Sequence, residues 1–300
     1  MKQLLDLRGI VTVLNTPFTD ADEIDVTGLA RNVEAAIEAG VVGLLAPAMA
    51  SEVSKLTESE RELMVRVVLD TVQGRAAVIG GASAPTREER VRISEKLTQM
   101  GCDGVLVSIA YENEANYEAE VRAVADTQPG FLMVQDWDET GSGVPVPVIA
   151  RLFNEIDVFR CLKVETVPAG VKYSAVLAAT EGRLHVSGGW AVTQMIEGLD
   201  RGVHAFMPTG MHRIYTSLYR MYVQGDREGA QRLFNEMVPA EAFSSQHLDI
   251  SIHFFKRLLH RQGICATPRV RQPILPFDAY HERIAAEQIE RLLGIERRLA

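Results

Sequence analysis

Lys163 closes a largely apolar run, Val158-Phe159-Arg160-Cys161-Leu162, and is followed by Val164 and Glu165. A lysine at the tail of a buried strand must be desolvated or given a partner, because an ammonium is costly to bury alone. Desolvation favours the neutral amine, and a neutral amine attacks a ketone to form a Schiff base. The other reading of such a lysine is structural, with the stem packed and the head in water. The setting decides between them, and the rest of the chain supplies the setting.

With 300 residues the chain is long enough for two small domains or one large α/β unit, and α/β barrels use about 250 residues as one domain. A hydrophobic share of 47% against 24% charged residues is that of an ordinary globular protein with a sizeable core. The formal net charge of −9 argues against a nucleic-acid surface, and no basic cluster offsets it. Cys102, Cys161 and Cys265 are odd in number and widely spaced in apolar surroundings, so they read as reduced thiols and neither a disulfide frame nor a metal site. Residues 1–8 lack the uncharged stretch of a signal peptide, and no segment approaches the roughly 18 apolar residues of a membrane span. The cytoplasm is the expected compartment.

Short β-rich runs alternate with amphipathic stretches along most of the chain. Strands are expected at 10–14, 41–45, 76–79, 104–107, 131–134, 158–163, 183–186 and 203–207. Thr57-Glu58-Ser59-Glu60 and Thr86-Arg87-Glu88-Glu89 are capping boxes that open helices, while Gly40 and Gly101 close them. Eight strands, each followed by a helix and without a linker, imply an α/β fold of the (β/α)8 TIM-barrel type. A doubly wound sheet with a nucleotide site is the alternative, but no Gly-x-Gly-x-x-Gly or Walker-type segment is present. Helical patterns at 213–223, 228–237, 252–262 and 285–293 exceed the needs of one barrel helix. Residues 1–210 are therefore read as the barrel, and 211–300 as its last helix plus a C-terminal helical extension that is not an independent domain.

In such barrels the chemistry sits at the C-terminal ends of the strands. That rule gathers Thr16, Met49, Ala50, Ser51, Glu52, Tyr111, Gln135, Asp136, Lys163, Glu165, Gly189, Trp190, Met207, Pro208 and Thr209 at one mouth. A lysine at the end of strand six is then placed for Schiff-base chemistry.

These residues carry a resemblance to the dihydrodipicolinate synthase / N-acetylneuraminate lyase family of class I aldolases, over nearly the whole chain. The matching features are Thr16-Pro17-Phe18, then Glu52 with Lys55-Leu56-Thr57 and Glu60-Arg61, then Tyr111 and Thr140-Gly141, and finally Leu162-Lys163-Val164-Glu165 and Ser187-Gly188-Gly189. The resemblance implies that Lys163 condenses with the ketone of pyruvate or another 2-oxo acid. The iminium then withdraws electrons, so that a proton or a bond one carbon further out can leave. It also implies a homo-oligomer, dimer or tetramer, in which Tyr111 relays protons at a neighbouring subunit's site. No cofactor is needed, because the imine is itself the electron sink.

The departures from the family pattern are informative. Ala48-Met49-Ala50-Ser51-Glu52 stands where relatives carry hydroxyls that grip the 2-oxo acid carboxylate; backbone N–H groups of Ala50 and Ser51, with the Ser51 hydroxyl, would have to do so here. The tyrosine that relatives place after strand five is replaced by Val134, Gln135 or Asp136. Met133-Val134-Gln135-Asp136 with Lys163-Val164-Glu165 is closer to the subgroup that contains 2-oxo-3-deoxy sugar acid dehydratases. Asp136, Asp138, Glu139 and Glu165 make an acid-rich mouth in which carboxyls can move protons.

The expected function is thus a Schiff-base lyase acting on a 2-oxo acid, a 2-oxo-3-deoxy sugar acid dehydratase or aldolase. Lys163 is the nucleophile, and Tyr111, Gln135 and Asp136 are candidates for proton handling. Ala50, Ser51, Glu52, Glu165, Gly189 and Trp190 are the candidate substrate contacts. The alternatives are 4-hydroxy-tetrahydrodipicolinate synthase, which condenses pyruvate with aspartate semialdehyde, and a non-catalytic 2-oxo acid binding protein. Neither nucleic acid, membrane nor metal is an expected partner.

Overall fold

Capping residues start and stop the helices where the sequence pattern places them. The Thr57 side chain accepts from the Glu60 N–H, and the Glu60 carboxylate accepts from the Thr57 N–H at 2.8 Å. Thr86 and Glu89 make the same reciprocal pair. Gly40 and Gly101 end their helices at φ 91° and 97°, a left-handed conformation that costs glycine nothing. The computed structural model describes residues 7–138 and 141–299, without the side chains of Trp190 and Ala191.

The strands are β1 (Gly9–Val13), β2 (Gly43–Leu45), β3 (Ala77–Gly81), β4 (Gly104–Ser108), β5 (Leu132–Asp138), β6 (Phe159–Thr166), β7 (His185–Gly188) and β8 (Ala205–Phe206). They close in chain order into a barrel. The helices between them are α1 (Val26–Ala39), α2 (Glu58–Val72), α3 (Arg87–Met100), α4 (Glu114–Ala125), α5 (Val146–Glu155), α6 (Ala169–Ala179) and α7 (Met195–Asp200). After β8 come α8 (His212–Val223), α9 (Arg227–Ser244), α10 (Leu248–Arg261) and α11 (Ala279–Leu299). The fold is a (β/α)8 barrel with a helical C-terminal extension, as the alternation predicts. Among the described residues no helix is long and apolar enough to cross a membrane.

Two compact units divide the chain, one of Met1–Gly9 with Ala77–Met207 and the other of Ile10–Ala76 with Pro208–Ala300. In the first, β3 to β8 pair in parallel, and a bulge at the start of β5 and β6 shifts the register so that Met133 faces Cys161 and Gln135 faces Lys163. One extra residue on the β6 side changes which of its side chains share a face with β5. In the second, β1 pairs with β2 in parallel, and α8 to α11 hold large buried side chains such as Tyr215 and Phe254. The Tyr215 hydroxyl donates to the buried Glu241 carboxyl, and burial pushes that carboxyl up to about 7.

Two strands run three or more residues past their expected ends. β5 runs to Asp138 instead of residue 134, and β6 runs to Thr166 instead of Lys163. Polar residues break a pattern read from hydrophobicity alone. The backbone ladder continues through them, as far as the Asp138–Thr166 rung.

Candidate active site

Side chains alternate between the faces of a strand, so Lys163 and Glu165 share one face of β6, and Gln135 shares one face of β5 with Trp137. The register sets Gln135 opposite Lys163, and Trp137 opposite Glu165. The Lys163 ammonium is 3.0 Å from Glu165 Oε1, and both side chains are 8% exposed. The Gln135 amide N–H donates to Glu165 Oε2. Gly189 leaves room for that carboxylate, because a Cβ there would sit 2.0 Å from Oε1. Lys163 is therefore not an isolated amine in an apolar wall. It has an acid–base partner whose second oxygen is held by an amide.

Asp136 requires a correction. It was expected to handle protons beside Lys163, but it lies one residue beyond Gln135 and so faces the other side of the sheet. There it meets Lys172 of α6 at 3.0 Å, with both side chains buried. Asp136 Oδ1 also accepts the Val144 N–H at 2.9 Å, while Lys172 donates to the carbonyls of Ser142, at 2.5 Å, and Val144. Burial raises the Asp136 pKa above the usual carboxylate range, and Lys172 pulls it back down. Asp138 accepts the N–H groups of Gly141 at 2.8 Å and Gly143 at 3.1 Å. Part of the acid-rich mouth is thus a scaffold for the β5–α5 connection. Glu139 and Thr140 lie outside the described residues. The sequence reading missed Lys172, although it is the single charged residue of α6 and stands in the largely apolar run Ala169–Ala179.

Tyr111, beyond β4, is half-buried and packs edge-on against Tyr117, with ring centroids 5.4 Å apart. Burial raises the Tyr117 phenol well above its usual range, and the Asp136 carboxylate adds to that. Gly189 follows β7 directly. The Trp190 side chain lies outside the described residues.

The residues after β2 belong to the second unit, where their groups already have partners. The Ser51 hydroxyl donates to the Leu14 carbonyl at 2.5 Å and accepts from the Ala48 N–H at 3.0 Å. The Ser51 N–H donates to the Ala48 carbonyl at 2.9 Å. Both Ser51 donors expected to grip a carboxylate are therefore engaged within its own unit. The Ala50 carbonyl accepts from the Asn15 amide at 2.9 Å. Glu52, expected to orient substrate, is buried against Lys256 and Lys55, the latter at 3.3 Å, and accepts the Arg271 N–H at 2.9 Å. Burial lowers the Lys256 ammonium to about 8 against the pull of Glu52. Lys256 and Arg271 stack over the Phe18 ring at 4.0 and 4.3 Å from its centroid. Glu52 thus ties the turn after β2 to α10 and to the segment around Arg271. Lys256 also escaped the sequence reading, and its signal was a cation directly after His253-Phe254-Phe255, next to Arg257.

A model of the dihydrodipicolinate synthetase family matches residues 6–292. The chain belongs to that family. The chain is similar to an L-2-keto-3-deoxyarabonate dehydratase of Azospirillum brasilense, 28% identical over 97% of this chain and 94% of the relative. A 4-hydroxy-tetrahydrodipicolinate synthase of Methanosphaerula palustris is 22% identical over 93% of this chain and 96% of the relative. Among solved structures, dihydrodipicolinate synthase from Rhodopseudomonas palustris superposes with a TM-score of 0.89 at 18% identity, covering 96% of this chain and 98% of its own. That likeness speaks for the barrel fold. Membership of the family makes this an aldolase-type enzyme.

Proposed function

We propose that the chain is a lysine-imine lyase that dehydrates a 2-oxo-3-deoxy sugar acid. The observation that carries this reading is the line Gln135–Glu165–Lys163, in which a carboxylate sits at 3.0 Å from the amine and is oriented by an amide. An amide neither gains nor loses a proton near neutral pH, so Gln135 orients and Glu165 transfers.

Glu165 then carries protons one at a time through the cycle. Glu165 takes a proton from the Lys163 ammonium, and the neutral amine attacks C2 of the substrate. Glu165 passes that proton to the former ketone oxygen and then moves a second from the amine nitrogen to the same oxygen, which leaves as water, and the iminium forms. Glu165 next removes a proton from C3, giving an enamine, and delivers it to the C4 hydroxyl, which departs as a second water. Hydrolysis of the remaining imine frees Lys163 and the dehydrated 2-oxo acid. The Azospirillum brasilense relative, matched over nearly its full length, bears the name of a dehydratase of this substrate class, which supports the reading. Tyr111 is kept as a relay to the site of a neighbouring subunit in a homo-oligomer.

Condensation of pyruvate with aspartate semialdehyde is the second reading, favoured by the synthase name of a relative that also spans nearly the whole chain. Borohydride reduction with candidate 2-oxo acids, followed by peptide mapping, separates the cases. The expected result is an adduct on Lys163 together with release of a dehydrated product. Consumption of aspartate semialdehyde would put the synthase first, and an adduct without product would make the chain a binding protein. Absence of any adduct would remove the imine mechanism.

A further inference from the structure

β5 is buried from Leu132 to Asp136 and then presents Trp137, which is 47% exposed. An indole buries as much as roughly 250 Å² when covered, so leaving half of one open on a strand forgoes a large stabilisation. Its place gives the exposure a meaning. Trp137 shares its strand face with Gln135, and its register partner on β6 is Glu165, as the partner of Gln135 is Lys163. It therefore stands one rung above the Gln135–Lys163 rung, about 7 Å further along the strand toward its C-terminal end.

A carbon chain bonded to Lys163 through its second carbon must run out past Glu165 toward that rung. We propose that Trp137 is the specificity-determining residue of the site, its indole face taking the C–H surface of the distal carbons of an uncharged polyhydroxylated chain. This rests on the lysine-imine reading above and adds the class of the substrate's far end. Aromatic faces suit such chains because the hydroxyls stay solvated at the edges while the apolar C–H surface is covered.

Charge argues for an uncharged end. β5 and β6 carry two cations, Arg160 near the start of β6 and Lys163, and the second is paired with Glu165. Lys172, behind the strands, is paired with Asp136. A phosphate or second carboxylate at the level of Trp137 would meet the Glu165 carboxylate, its register partner, with no cation of these two strands at that level to receive it.

Borohydride trapping at Lys163 tests the two layers separately. With pyruvate, which is too short to reach Trp137, the wild type and Trp137→Ala should reach half-maximal trapping at concentrations within about twofold of each other. With a five- or six-carbon 2-oxo-3-deoxy acid, Trp137→Ala should need about tenfold more, and Trp137→Phe an intermediate amount. In the wild type, a terminally phosphorylated analogue should trap more weakly than its unphosphorylated parent. Equal shifts for pyruvate and the long acid, or no shift for either, would overturn the assignment of Trp137 while leaving the imine intact. So would light scattering showing that Trp137→Ala alters the oligomeric state with no change toward the long acid. If no 2-oxo acid is trapped by the wild type, the underlying reading fails instead.

Discussion

Glu165 stands two residues beyond Lys163 on one face of β6 and holds its carboxylate 3.0 Å from the lysine nitrogen. On the proposed mechanism the strand carries both nucleophile and base, and the neighbouring strand supplies Gln135 to orient the base. In that proposal proton transfer falls to Glu165 without a strand-five tyrosine, which makes the parts separable by substitution.

Lys163→Arg should keep the pairing with Glu165 and lose catalysis, because a guanidinium stays charged and forms no imine. Turnover is expected to fall at least about 10³-fold, with no borohydride adduct in the peptide that contains residue 163. Wild-type turnover in this variant would end the mechanism.

Glu165→Gln removes proton transfer and keeps the shape of the side chain. kcat should drop by about 10²- to 10³-fold. Gln135→Ala should cost about tenfold, since it orients the base without replacing it. Single-turnover kinetics measure both, and a larger loss from Gln135→Ala than from Glu165→Gln would reverse the roles.

Lys172→Met leaves Asp136 buried without its cation. Urea unfolding should show a loss of about 3 kcal/mol. Adding Asp136→Asn should recover part of it, because the double variant has no stranded charge. Strictly additive losses would mean that the two residues are not coupled.

Glu241 should make stability depend on pH. Its carboxyl titrates near 7 in the folded chain against an ordinary 4.5. The unfolded chain therefore releases this proton first as pH rises, and the folded state binds more protons between those values. The stabilisation is whole below 4.5 and is lost as pH climbs through 7, by about 3 kcal/mol in all. In urea unfolding from pH 4.5 to 8, the stability of the wild type relative to Glu241→Gln should fall by that amount. A difference independent of pH would show that the carboxyl is not held protonated.

Much of the barrel was legible because its signals are local. Capping boxes at Thr57 and Thr86, the glycines after α1 and α3, and the alternation of apolar runs are set by residues within a few positions of one another. Strand ends were less legible. Gln135, Asp136 and Glu165 read as loop residues because their types break the apolar pattern, yet each finds a partner on another element that lets the ladder run on.

The sequence by itself determined the order of elements, the single lysine on strand six and the set of acids around it. Tertiary structure decided which acid serves that lysine. A one-residue step along a strand reverses the side chain, so Gln135 turns to Glu165 while Asp136 turns to Lys172, more than thirty residues away in the chain. Whether a carboxylate acts as a base or a brace follows from the face and register on which it lands, and both depend on pairing between segments that sequence distance does not reveal.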